Sequence, residues 1–157
     1  MTSKPVTGLP EAKKRRSSHQ TQWAAQFAVA SELCKKGYEV ALTMGNHPTA
    51  DIMAYSPGGS AFVIDVKGQY KRNWWVVREK PERADAFYVF ASVPDVGMNR
   101  FFILTQAEVN RGIREEFDAV RARAVAAGRS TEKAEAFPCI SFKWAEVHEG
   151  RWDKLPQ

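Results

Sequence analysis

Asp51, Asp65 and Lys67 are the residues of this chain whose types and spacing could do chemistry. Asp51 opens one apolar run, and fourteen positions on Asp65 and Lys67 flank Val66 at the end of another. On a strand, residues two apart share a face, so Asp65 and Lys67 stand together while Phe62, Ile64 and Val66 line the opposite side. Two carboxylates brought together across a hairpin repel each other, and a hard divalent cation with oxygen ligands relieves that directly. Mg²⁺ is the natural candidate, with Mn²⁺ as a substitute, held by Asp51, Asp65 and the carbonyl of Val66. Lys67 then stands close enough to steady or deprotonate a metal-bound water attacking a phosphodiester.

The elements that must position these residues are legible in outline. Over residues 20–36, Trp23, Phe27, Ala30, Leu33 and Cys34 recur at helical spacing, and Gly37 supplies a stop. On the helical wheel Gln26 falls inside that stripe and Glu32 points nearly the other way. Three runs of period two follow, at 38–43, 51–55 and 61–67, and the Pro and Gly residues of 56–60 suit a tight antiparallel reversal between the last two. Residues 74–77, 86–93 and 101–104 are expected to add strands. Thr105 and Glu108 form a capping box that starts a long helix over 106–127, stopped by Gly128. A loop over 129–138, a short strand over 139–144, and Arg151 and Trp152 packed back on the core complete an α/β sandwich.

The helix with its Lys36-Gly37-Tyr38 exit, the strand, the segment leading to Asp51, the hairpin, and the apolar strand ending in Asp65-Val66-Lys67 before Gly68-Gln69 together resemble the PD-(D/E)XK nuclease superfamily. The arrangement is similar to archaeal Holliday-junction resolvases and small restriction-type endonuclease domains. The resemblance implies a restriction-endonuclease-like αβββαβ sandwich with a central mixed sheet, here with extra strands. It also implies that Asp51 and Asp65 ligate the metal and that Lys67 is the catalytic lysine. Gln26 stands where many members carry a first-helix Glu that reaches the metal; its amide oxygen can make that contact but brings no charge. The implied activity is metal-dependent DNA endonuclease chemistry. The alternative is a catalytically degenerate member that binds DNA or a partner protein without cleavage.

Composition bounds these readings. A chain of 157 residues, 44% hydrophobic and 11% aromatic, fits one domain and excludes a disordered one. It holds no apolar run of the roughly 20 residues that span a bilayer and no apolar signal-peptide core, so a cytoplasmic protein with no membrane partner is expected. Cys34 and Cys139 form no CxxC pair and read as free thiols, Cys34 buried on the helix's apolar side. Residues 1–20 carry four of the five net positive charges, so residues 1–19 read as a flexible basic arm and 20–157 as the nuclease-like domain. The basic segment from Lys67 to Arg83 lies directly after the candidate catalytic strand, where a phosphate backbone would run, and Gln69, Lys71, Arg72 and Arg78 are its nucleic-acid-binding candidates. Trp74 and Trp75 are adjacent on a strand, so at least one belongs to the core. His47 is read as a turn residue outside the metal shell. One site per chain makes double-strand cleavage favour a homodimer.

Overall fold

Alternation along Ala61–Gln69 sets the architecture: Phe62, Ile64 and Val66 are buried against one layer, while Asp65 and Lys67 face the other. The computed structural model describes residues 15–43, 50–131 and 138–157. Its main sheet has five strands, β1 (Glu39–Leu42), β2 (Ile52–Tyr55), β3 (Ala61–Gln69), β5 (Ala86–Ser92) and β6 (Arg100–Thr105), in the order β1-β2-β3-β5-β6. The β2–β3 hairpin forms as expected, its turn closed by the Gly59 amide on the Ser56 carbonyl at 2.9 Å with Gly59 at φ +92°. β3 and β5 are parallel, and every other pairing is antiparallel.

A parallel connection usually carries a crossover helix. Here residues 70–85 make the crossover with only the two-residue strand β4 (Trp75–Val76), which pairs with β7 (Cys139–Ile140) in a separate small sheet. The chain is therefore α/β with a mixed five-stranded sheet, and the strand expected at 74–77 lies outside it. The long helix α2 (Gln106–Ala126) comes only after β6, opened by the expected capping box of Thr105 and Glu108. Instead of a strand continuing to residue 144, Ser141 caps a one-turn helix, α3 (Phe142–Ala145), because its hydroxyl takes the Trp144 amide.

Each face of the sheet buries its own core. Helix α1 (Ser18–Lys35) covers one with Ala25, Val29 and Leu33 against Ile64, Val66 and Val89. On the other, α2, the small sheet and α3 enclose Trp75, Tyr88, Phe90, Phe102, Ile140 and Phe142. Burial on both faces explains why β5 reads as a continuous apolar run. Trp75 is the core tryptophan of its pair, and Trp74 is exposed. Trp152 packs on Phe101 with ring centroids 5.6 Å apart, bringing the C-terminal end back as expected.

The buried stripe of α1 is not the aromatic one. It consists of Thr21, Ala25, Gln26, Val29, Ala30 and Leu33, while Trp23 and Phe27 stack on each other on the outer side and Cys34 is exposed. The reason is volume: a Cβ on Gly68 of β3 would lie 2.6 Å from the Ala25 Cβ, so helix and strand approach too closely for large side chains between them.

Residues 1–14 of the expected arm, the segment 44–49 with His47, and 132–137 of the expected loop lie outside the described residues. The last residues of the arm belong to the fold: Arg16 donates to the Val93 carbonyl at 2.7 Å, and Ser17 caps α1. Among the described residues no helix is long and apolar enough to cross a membrane.

Candidate functional site

β2 begins pairing at Ile52, opposite Ile64, whereas β3 runs on to Gln69. Among the described residues no strand lies beside that edge of β3 beyond Ile64, and buried backbone polar groups need partners. Side chains supply them. The Asp51 amide donates to the Ile64 carbonyl at 3.0 Å, and its carboxylate Oδ2 then accepts from the Val66 amide at 2.7 Å. Gln22 continues the ladder: its Nε2 donates to the Val66 carbonyl at 2.7 Å and its Oε1 accepts from the Gly68 amide at 3.2 Å. One turn later on α1, Gln26 Nε2 donates to Asp51 Oδ1 at 2.8 Å, leaving Gln26 Oε1 buried with no partner among the described residues.

Asp65 projects from the other face, in register with Tyr88 of β5. Lys67 Nζ lies 2.6 Å from its Oδ1, and Lys80 Nζ donates to its Oδ2 at 3.0 Å. Burial pushes the Asp51 carboxyl above its ordinary range; the Val66 amide opposes this, the nearby Asp65 charge adds to it, and the charges of Lys67 and Lys80 pull it back in part. Burial draws Lys80 down, but the Asp65 carboxylate outweighs it and its pKa is raised. Two acids and two ammonium groups thus form a cluster that is neutral in sum.

The structure pairs Gln26 with Asp51 at the edge of β3 and Lys67 with Asp65 on its other face, so the four expected catalytic residues form two pairs, close enough for the Asp65 and Lys67 charges to act on Asp51. Gln26 faces inward, 6% exposed. The Val66 carbonyl, expected as a metal ligand, already accepts the Gln22 amide and keeps one lone pair. The donors suit a hard cation: two carboxylates, a carbonyl, and the orphaned Gln26 Oε1, all oxygens. Among the described residues no group of three or more His, Cys, Asp or Glu is placed to hold a metal. A cation here would keep several waters, which is Mg²⁺ behaviour rather than Ca²⁺ behaviour.

The nucleic-acid candidates separate. Gln69 and Lys71 line a polar cleft at the exit of β3, facing Arg15 and Gln22 at the start of α1. Gln69 is 8% exposed, with neither amide atom partnered among the described residues, so it is a wall of the cleft and not a free hand. Arg72 is held away from it by Glu146 at 2.9 Å and by the ring of Phe142. Arg78 is exposed but does not line this cleft. Sequence reasoning missed Gln22 and the role of Lys80. Gln22 and Gln26, four apart on the same face as Ala25 and Val29, were a readable signal; for Lys80 nothing local separates it from its basic neighbours. Comparison with protein-family models, with curated proteins and with solved structures gives no match for this chain.

Proposed function

We propose that this chain is a metal-dependent endonuclease-like domain of restriction-endonuclease-like fold that hydrolyses phosphodiester bonds of DNA in the cytoplasm. The observation that carries the reading is that the Gln26–Asp51 pair, from α1 and the residue before β2, and the Asp65–Lys67 pair of β3 lie near enough for the Asp65 charge to raise the Asp51 carboxyl. Asp51 and Asp65 would hold the cation, with Gln26 Oε1 and the Val66 carbonyl able to serve as neutral oxygen donors. Mg²⁺, when bound, supplies Lewis-acid polarisation of the phosphoryl oxygen and acidifies water. Lys67, 34% exposed and paired with Asp65 through its ammonium, reaches solvent from β3 and would orient the attacking water and steady the charge that develops on the phosphate. The cleft lined by Arg15 and Lys71 continues from Gln22 and gives the flanking phosphates a cationic wall.

The test is calorimetric titration of Mg²⁺ and Mn²⁺ into wild type, Asp65→Ala and Lys67→Ala, followed by incubation with plasmid and branched DNA. Wild type is expected to bind metal and cut. Asp65→Ala loses both, whereas Lys67→Ala keeps metal binding and slows cutting by about 10²-fold or more. Cutting at the wild-type rate by either variant overturns the assignment. A chain with one site that cuts both strands is also expected to sediment as a homodimer on DNA.

A second reading is favoured by one observation: each oxygen of Asp51 and of Asp65 already has a protein partner, amides on the former and ammonium groups on the latter. On this reading the domain binds DNA or a partner protein without cleavage. It expects salt-sensitive DNA binding that is indifferent to Mg²⁺, with no turnover in the same plasmid assay.

A further inference from the structure

Two amides on the inward face of α2, Gln106 and Asn110, are only 3% and 5% exposed. Buried amides are costly unless their polar atoms are used. Gln106 Nε2 donates to Asn110 Oδ1 at 2.9 Å, and Asn110 clamps the backbone of one residue, donating from Nδ2 to the Lys80 carbonyl at 2.9 Å and accepting from the Lys80 amide at 3.3 Å. Residue 80 lies in the irregular crossover between β3 and β5. The clamp sets the Lys80 ammonium over the ring of Tyr88, 5.6 Å from its centroid, and delivers that ammonium to Asp65 Oδ2. The whole device, reaching from α2 to β5, has one evident product: a positive charge on the carboxylate oxygen that Lys67 leaves uncovered.

Resting on the metal-site reading above, we propose that Lys80 is a built-in counter-cation that occupies Asp65 until a divalent ion displaces it, and that it thereby sets how tightly the site takes its metal. Lys80 is a positioning residue: it acts through Asp65. A divalent ion that takes Asp65 Oδ2 must break the Lys80 contact on that oxygen and swing the partly exposed lysine outward, while Lys67 stays on Oδ1. The side chain of Lys80 is 43% exposed, which leaves it room to swing.

The experiment is Mn²⁺ titration by calorimetry, at fixed ionic strength, of wild type, Lys80→Met, Lys80→Arg and Lys143→Met, with circular dichroism to confirm the fold of each. Methionine keeps a flexible unbranched stem of similar length and removes the charge. Lys80→Met is expected to tighten Mn²⁺ binding about fivefold, the size of losing one partly exposed ion pair. Lys80→Arg restores the pair and stays within about twofold of wild type, and Lys143→Met, an exposed lysine of α3, controls for overall charge. If wild type binds Mn²⁺ and Lys80→Met binds it equally or more weakly, or if Lys143→Met tightens it as much, the role of Lys80 is overturned and the metal site stands. If neither wild type nor Lys80→Met binds Mn²⁺, the metal-site reading itself is overturned.

Discussion

Asp51 is a carboxylate whose removal should strengthen the fold. Burial raises its pKa above the ordinary value of 3.8, so the folded chain holds its proton more tightly than the unfolded chain does. The sign follows from linkage: stability falls as pH rises from about 3.8 through the raised value, and the deficit persists at neutral pH. Asp51→Asn removes the charge at little steric cost. The amide oxygen of the substituted side chain can keep the Val66 amide, and a flipped Gln26 can offer its orphaned Oε1 to the amide nitrogen introduced beside it. We expect the unfolding midpoint to rise by about 2–4 °C at pH 7 while Mn²⁺ binding is lost. A lower midpoint would mean that the charged hydrogen bonds outweigh desolvation. Gln22→Ala goes the other way, because it strands the Val66 carbonyl and the Gly68 amide together, at a cost of about 1–3 kcal/mol in denaturant unfolding.

At the scale of elements, the contact between α1 and β3 decides whether these side chains meet. Gly68→Ala would set a Cβ 2.6 Å from the Ala25 Cβ and 3.0 Å from the Thr21 carbonyl oxygen, so the helix must move. Overpacking of this kind costs about 1–3 kcal/mol, and because Gln22 and Gln26 ride on the displaced helix, Mn²⁺ affinity should fall with stability. An unchanged unfolding curve would show that the helix has slack. The capping boxes, the glycine stops and the β2–β3 hairpin were legible in the sequence because each is local chemistry written within a few residues. The inward face of α1 was not, since it is chosen by the absence of a side chain on Gly68, far along the chain. The same division runs through the site. Asp51, Asp65, Lys67 and Gln26 follow from period and spacing, whereas Gln22 acquires its task only because β2 falls short of β3. Lys80 acquires its own only because a distant helix clamps it. The partner of the strand at 74–77 was hidden for a related reason: apolar alternation announces a strand but not the sheet it joins.

At the scale of the molecule, the second core is closed by the C-terminal segment, and that closure depends on pH. His148, 5% exposed, lies with its Nδ1 2.7 Å from Lys154 Nζ, which in turn holds Glu108 at 2.8 Å, and Trp144 covers the imidazole ring. Burial first, and then the Lys154 charge, lower the His148 pKa; Glu108 is also lowered, because Lys154 and the Thr105 amide overcome its burial. In both cases the unfolded chain takes up protons before the folded one. The stability they contribute is therefore whole at pH 7, declines as pH falls below about 6.5, and declines again below about 4.5. His148→Gln, which keeps an acceptor for Lys154, should flatten the first decline while leaving the second, as read from unfolding midpoints at pH 7, 6, 5 and 4. An unaltered first decline would place its origin elsewhere.

The side-chain ladder along the edge of β3 has a consequence for isotope exchange. Among the described residues no strand lies beside the Val66 and Gly68 amides, yet each is held by a side chain of the site, Asp51 and Gln22 respectively. Their deuterium uptake should be slow in the resting protein and should quicken, ahead of the strand-paired amides around them, whenever an ion draws the Asp51 carboxylate away or α1 lifts from the sheet. Two backbone protons therefore report on the state of the site without any need for turnover.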